Sequence, residues 1–241
     1  MKKIITVLLL TSLFAFGQKT QGIAIYKIVL TEKKVLKKAN PKLESDVRKW
    51  EAEGEKIRPQ LKFNNTSAIF YMEGILSLEA ETASILYCNC VMPIYTDLKT
   101  NKTYKENQAG VIADAGEFII EREILKNWTV TNETKLIDNY KCTKATQTVY
   151  NEEGKPQLVT AWFCPQLSYP FGPSGFGGLP GLIIELQREN IVFGLESLKF
   201  LDKKPTIKIP TKGKKVSFEN YYKISKERLA AFREQMSKKT N

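Results

Sequence analysis

The chain has 241 residues, 42% of them hydrophobic, and a formal net charge of +11 at pH 7. This length and composition are typical of one large globular domain with an apolar core. The sequence contains no histidine, which excludes Ser-His-Asp and Cys-His catalysis and any histidine-ligated metal. Carboxylate pairs and Ser-Lys pairs need no histidine, but Glu152-Glu153 and the pair Glu121 and Glu123 are interpreted as solvated surface, and no Ser-x-x-Lys motif surrounds Ser174. We therefore predict a non-catalytic protein without a cofactor.

The positive charge is spread over short lysine clusters. Such clusters stand at 33–34, 203–204 and 212–215, and no arginine-rich helix or recognisable nucleic-acid module accompanies them. Scattered lysines of this kind are typical of a basic, solvated surface. We expect no nucleic-acid partner.

The N-terminus has the pattern of a secretory signal peptide. Two lysines precede an apolar run from Ile4 to Phe16, small residues stand at Ala15 and Gly17, and polar Gln18 follows. The run is too short to span a bilayer comfortably. We predict a signal peptide at 1–17, cleavage after Gly17, and a soluble periplasmic protein that is not an integral membrane protein.

The first half of the mature chain consists mainly of short alternating segments. Gly22–Leu30 alternates and is rich in β-branched residues, which predicts a strand. Residues 41–57 place Leu43, Val47 and Trp50 on one helical face, which predicts an amphipathic helix. Further strands are predicted at 60–72 with a turn at Asn64, within 84–95, at 103–106 after a turn at 97–101, and at 117–123.

The second half continues the series of strands. They are predicted at 128–130, 134–150, 157–164, 182–187 and 191–200, and Ser217 is a good N-cap for a helix that ends near Met236. Strands joined by short turns, with no βαβ alternation, predict an α+β fold. We expect a single curved, half-barrel-like antiparallel β-sheet with helices near the N- and C-termini, in one domain at 18–241.

The cysteines Cys142 and Cys164 suggest a register for one hairpin. The polar turn at 151–155 is centred on Glu153, and each cysteine lies eleven residues from that centre. In a regular hairpin the two cysteines would face each other within disulfide reach, and Lys144 would pair with Trp162. Cys142–Cys164 is therefore the first choice among the three pairings that four cysteines allow.

Cys88 and Cys90 are the two remaining cysteines, and alternation along a strand would place both sulfurs on one face. A disulfide between such near neighbours is strained and redox-labile. The alternatives are a bridge from each to a hairpin cysteine, or soft-metal binding through two thiolates. The sequence does not choose among these.

The glycine-rich segment at 165–181 resembles a phosphate-binding loop only superficially. Counted from Gly175, the third glycine of a dinucleotide fingerprint would fall on Pro180, and no lysine stands at the P-loop position. The branched residues that follow favour a strand, whereas both phosphate motifs require a helix. We expect a tight, buried corner at Leu179 that plugs an open end of a curved sheet or shapes the rim of a pocket.

Residues 178–183 spell Gly-Leu-Pro-Gly-Leu-Ile, and an ordered set of residues before them agrees with the same pattern: Trp128, 133–137, 140–142, 144–145, 161–162 and 172–173. The chain resembles the GLPGLI family, exported proteins of Gram-negative bacteria without an established activity. The resemblance implies a periplasmic protein. Members of this family are similar in setting to proteins that are encoded near TonB-dependent outer-membrane transporters, and this setting implies an accessory role in transport. Asp138-Asn139 departs from the pattern, which usually has glycine before the tyrosine, and Cys164 is an addition to it.

The predicted function is a non-catalytic envelope protein in outer-membrane transport or assembly. It would bind or escort an apolar or peptide ligand, or a protein partner such as an outer-membrane transporter. The alternatives are a redox or metal-handling factor using Cys88 and Cys90, or a structural subunit of an envelope complex. The candidate interaction residues are Trp162, Gly172, Pro173, Gly178, Leu179, Pro180 and Gly181.

Overall fold

The computed structural model describes residues 20–30, 56–73, 92–110, 113–150 and 155–240. Twelve strands form one sheet, and the described part of the chain also has a short 3₁₀ helix at Pro173–Gly175 and one C-terminal α-helix. The elements are β1 (Gly22–Leu30), β2 (Gln60–Phe63), β3 (Ser67–Tyr71), β4 (Ile94–Asp97), β5 (Lys102–Glu106), β6 (Phe118–Glu123), β7 (Thr129–Ile137), β8 (Tyr140–Tyr150), β9 (Pro156–Cys164), β10 (Leu182–Arg188), β11 (Ile191–Phe200), β12 (Lys214–Ser217) and α1 (Phe218–Thr240). The predicted signal peptide, most of the predicted helix at 41–57, and Cys88 and Cys90 lie outside the described residues.

The strands follow the order β12-β6-β5-β4-β3-β2-β1-β11-β10-β9-β8-β7, so the sheet is open, with β12 and β7 at its edges. All neighbours are antiparallel except β12, which runs parallel to β6. The described chain is mostly β rather than the predicted α+β. The predicted antiparallel sheet is confirmed apart from this one parallel pair, which makes the sheet mixed. The cause is the connection at 201–213, long enough to carry the chain back along the sheet before β12 begins.

The connection between β6 and β7 shows that the sheet curves strongly. These strands are consecutive in the chain but lie ten positions apart in the sheet. In a flat sheet ten strand spacings would separate them by about 48 Å. The link at 124–128 spans at most about 21 Å when fully extended. The sheet must therefore curl until its two ends approach each other, which confirms the predicted curvature.

Aromatic side chains fill the inner face of the curved sheet. Tyr26, Phe70 and Phe193 are at most 1% exposed, and Phe70 makes edge-to-face contacts with both of the others. The Tyr26 hydroxyl donates a hydrogen bond of 2.7 Å to the carbonyl oxygen of Ile183, which satisfies a buried polar group. The inner face is thus a packed core.

Helix α1 packs against β6 and β12 at one end of the sheet. The Asn220 N–H donates to the Ser217 hydroxyl over 3.2 Å, which confirms the predicted N-cap. Tyr221 packs edge-to-face on Phe118 of β6 at a centroid distance of 5.7 Å. The helix continues to Thr240 rather than ending near Met236. In the part of the chain that the structure describes, no helix is long and apolar enough to cross a membrane.

The observed strands differ from the prediction in two details. The segment predicted as one strand at 134–150 contains a tight turn between β7 and β8, where Asp138 has φ 50°. Glycine adopts positive φ most readily, and aspartate tolerates it. Strand β12 was not predicted, because a four-residue strand rich in lysine has no distinctive periodicity.

Candidate functional site

The glycine-rich loop at 165–181 lies between β9 and β10 and packs against the inner face. Its backbone is tied to itself and to β10: the Gly178 N–H donates to the Pro170 carbonyl over 3.1 Å, and the Ile183 N–H donates to the Phe171 carbonyl over 3.0 Å. Phe63 of β2 contacts the Tyr169 ring at a centroid distance of 4.8 Å. The loop is therefore an ordered part of the core.

The corner at Leu179 is buried, as the sequence predicts. The Leu179 side chain is 2% exposed, and the flanking glycines allow the backbone to pack closely. Gly178 has φ 82°, and a side chain there would meet the carbonyl oxygen of Leu125. A side chain at Gly181 would meet the carbonyl oxygen of Cys164. Only Gly178 and Pro180 of this corner are exposed, so it offers little surface to a partner.

The loop also contacts the link between β6 and β7. The Trp128 indole N–H donates a hydrogen bond of 2.9 Å to the Gly177 carbonyl, and its ring packs edge-to-face on Phe176 at 6.3 Å. On the other side of the loop, a Cβ at Gly175 would touch Ile94 of β4. The loop thus joins distant strands of the curved sheet, which is a structural role.

Trp162, the remaining predicted site residue, lies away from the loop. Neighbouring Phe163 is 2% exposed in the core, so alternation places Trp162 on the outer face. The Lys135 ammonium lies 4.3 Å from the Trp162 ring centroid and pairs with Glu185 at 2.8 Å. The structure therefore does not bring the predicted site residues together at one site.

A surface cleft of about 410 Å³ lies where edge strand β12 meets α1. Strand and helix residues both line it: Glu121, Lys214, Lys215, Val216, Ser217, Asn220, Lys223, Ile224 and Glu227. The helix stands beside the strand because Phe118, Val216 and Tyr221 share a small apolar cluster. This cleft is our candidate binding site.

The charges of the cleft favour an anionic partner. Three lysines line it against two glutamates, and one of these, Glu121, pairs with Lys102 of β5 at 2.8 Å. Hydrogen bonding to Glu121 raises the pKa of Lys102, so Lys102 keeps its positive charge at neutral pH. Glu227 is the other carboxylate of the lining, so the lysines of the cleft outnumber its glutamates.

Sequence reasoning missed this cleft, although one signal was present. The lysine cluster at 212–215 directly precedes the N-cap at Ser217, so basic residues at the start of a helix were visible. From the sequence alone, these lysines are interpreted as solvated surface. The parallel pairing of β12 with β6, which places the helix beside the strand, had no sequence signal.

Comparison with known families matches residues 150–185 to a family described as "Protein of unknown function (Porph_ging)". The matched segment contains β9, the glycine-rich loop and the start of β10, the region in which the sequence pattern is most distinctive. It covers less than half of the chain and supports similarity to an uncharacterised family. Membership of the GLPGLI family stays a prediction. No curated protein matches the chain.

Two solved structures of PNGF-II, in space groups P21 and C2, have a similar fold. Their TM-scores are 0.55 and 0.54, each is 14% identical to this sequence, and each comparison covers 87% of this chain. The chain spans about a third of the length of those proteins, 34% and 33% respectively. At this identity the similarity shows the fold alone.

Proposed function

We propose that the protein is a non-catalytic component of the cell envelope that binds an acidic segment of a protein partner in the cleft between β12 and α1. The observation that supports this most directly is the charge of the cleft, where three lysines line an open surface site against two glutamates. Electrostatic complementarity of this kind selects partners and speeds association.

The packing of the inner face favours a partner outside the sheet over an apolar ligand inside it. Phe63, Phe171 and Leu179 are at most 2% exposed, and they occupy the space that a half-barrel carrier would keep for its cargo. A ligand-binding interior is usually a concave, largely preformed cavity. Escort of an apolar ligand therefore has less support than binding of a peptide or protein.

The edge position of β12 suggests how a peptide would bind. The Lys214 N–H donates to the carbonyl of Glu117, the residue before β6, over 2.8 Å. Successive residues of a parallel strand direct their backbone groups to opposite sides, so those of Lys215 point away from β6. An extended segment in the cleft would pair with this edge while its carboxylates meet the lysines, as in strand addition.

The experiment measures binding of a fluorescent ten-residue peptide of alternating glutamate and valine to the full chain by anisotropy. We expect the Lys214→Glu/Lys223→Glu variant to weaken binding at least about tenfold, because two favourable charges become repulsive. Lys203→Glu/Lys204→Glu makes the same change in net charge at exposed positions outside the cleft. The control variant should retain most of the affinity.

Equal losses in the two variants would show that only overall charge attracts the peptide, and the cleft would not be a site. Raising the salt concentration gives a second measure, since exposed charge interactions are screened. The wild-type affinity should fall with salt, and the Lys214→Glu/Lys223→Glu variant should depend on salt much less.

The envelope location and the link to an outer-membrane transporter rest on the signal-peptide pattern and on the resemblance to exported proteins. Osmotic-shock fractionation of cells carrying a C-terminally tagged chain tests the location. Recovery in the periplasmic fraction, with a mass that lacks residues 1–17, is the expected result. Retention of the full-length chain in the cytoplasm would overturn the envelope assignment.

A further inference from the structure

Cys142 lies near the start of β8 and Cys164 at the end of β9. The register pairs Thr143 with Phe163 and has no shift along the hairpin, so one further step in the same register would oppose Cys142 to Cys164. Opposed residues in antiparallel strands have Cα atoms about 4.5–5.5 Å apart, within the range of about 4.4–6.8 Å that disulfides span. The backbone is therefore placed for a cross-strand bond, although both side chains are free thiols in this structure.

Both thiols are inaccessible in the folded protein. Each residue is 0% exposed, and the Cys142 thiol donates to the Tyr140 carbonyl over 3.4 Å. Burial, with a smaller effect from neighbouring Cys164, raises the pKa of Cys142 to about 12. Since the thiolate is the reactive form, the folded protein should neither oxidise nor exchange at this pair.

The glycine-rich loop packs against the backbone of Cys164, so the order in which the hairpin and the loop fold decides how long the two thiols stay accessible. The glycine-rich loop begins at the next residue, and the Leu167 N–H donates to the Cys164 carbonyl over 3.1 Å. The same carbonyl lies against Gly181, where the loop returns to the sheet. Local hairpin pairing needs only contacts close in sequence, whereas the loop must dock on β2, β4 and the β6–β7 link. The hairpin can therefore form before the loop covers it.

We propose that Cys142 and Cys164 are a disulfide site that reacts during folding, after the β8–β9 hairpin has formed and before the loop at 165–181 closes over it. In the folded protein the two cysteines then stay oxidised or reduced, as they were when the loop closed. One thiolate attacks an external small-molecule or protein disulfide, whose displaced sulfur leaves as a thiolate and takes up a proton. The second thiolate displaces the remaining external sulfur. Together the two cysteines lose two protons and two electrons, and the external disulfide is reduced to two thiols.

The test uses the full chain with Cys88→Ser and Cys90→Ser, so that no other cysteine takes part. The chain is refolded from urea with mixed oxidised and reduced glutathione, and separately with reduced glutathione alone. We expect the first sample to lose two hydrogen masses and to yield a non-reduced peptide linking Cys142 to Cys164. Folded, reduced protein given the same glutathione mixture should keep both thiols over the same time.

Two results would overturn the proposal. If the refolded protein keeps both thiols, or carries glutathione on one of them, the pair is not a disulfide site. If the folded, reduced protein oxidises as fast as the refolding chain, closure of the loop does not control the reaction.

Urea unfolding gives an independent readout. The bond closes a loop of roughly twenty residues, which should lower the unfolding equilibrium constant about 100-fold. The Cys142→Ala/Cys164→Ala variant should show no difference between the two refolding conditions. This measurement does not involve the β12–α1 cleft, so either proposal can fail without the other.

Discussion

Gly178 and Gly181 hold the backbone where no side chain fits, and the structure gives a separate reason at each position. Gly178 combines φ 82° with close contact to the Leu125 carbonyl, and Gly181 lies against the Cys164 carbonyl. Backbone atoms cannot move aside as a flexible side chain can. The first contact joins the loop to the β6–β7 link, and the second joins it to the end of β9.

Gly178→Val and Gly181→Val should each destabilise the protein by about 3 kcal/mol or more, because the new side chain forces backbone displacement. Gly110→Val is the matched control, since a Cβ there meets nothing within 4 Å. Urea unfolding followed by tryptophan fluorescence measures all three variants. A Gly178→Val or Gly181→Val protein with wild-type stability would contradict the structural role and direct attention to the loop as a binding site.

Among the elements, the short link between β6 and β7 has the largest effect on shape. It joins strands ten positions apart in the sheet, and Trp128 at its end fixes it to the loop through the hydrogen bond to Gly177. The loop in turn packs on β2 through Phe63. These contacts keep the curved sheet from opening.

Trp128→Phe should lower the free energy of unfolding by about 1–2 kcal/mol, since the Gly177 carbonyl loses its donor while the ring contact with Phe176 is retained. Hydrogen exchange of residues 170–181 should become faster. Trp162→Phe makes the same change on the outer face and should leave exchange in this loop unaltered. Unchanged exchange in Trp128→Phe would show that the indole hydrogen bond does not anchor the loop.

At the scale of the molecule, one continuous sheet connects two apolar clusters. The large core contains the buried residues of β1–β3, β9–β11 and the loop, and a small cluster of Ala113, Phe118 and Val216 lies beneath α1. Strand β6 contributes to the small cluster and hydrogen-bonds to β5. The helix is therefore attached to the same sheet as the core.

We expect a single cooperative unfolding transition, because the sheet offers no point at which few contacts cross. Far-UV circular dichroism at 222 nm reports on helix, including α1. In a Trp50→Phe background, the fluorescence of Trp128 and Trp162 reports on the loop and β9. The two urea curves should have the same midpoint. Loss of the 222 nm signal well before the fluorescence change would show that α1 unfolds separately and would contradict the single predicted domain.

Most strands could be predicted because their alternation is a local property of the sequence. Gly22–Leu30 and Ile191–Phe200 are rich in β-branched and aromatic residues, and each forms a strand in which buried residues alternate with more exposed ones over most of the first and the first half of the second. The β8–β9 register was also predictable, since the turn and the lengths of both strands are local. The pairing of Lys144 with Trp162 confirms it. The turn at Asp138 was missed because aspartate adopts positive φ without the glycine that usually marks such a turn.

The sequence by itself determined the strands, the hairpin register, the N-cap at Ser217 and the buried corner at Leu179, because each depends on residues close together in the chain. Only the tertiary structure decided that β6 and β7 approach through a curled sheet, that Trp162 faces away from the loop, and that β12 pairs parallel to β6 beside α1. These outcomes depend on contacts between residues far apart in sequence, whose entropic cost and packing energy leave no local pattern. The candidate cleft is one of them, so lysines that looked like ordinary surface became the most informative charges of the molecule.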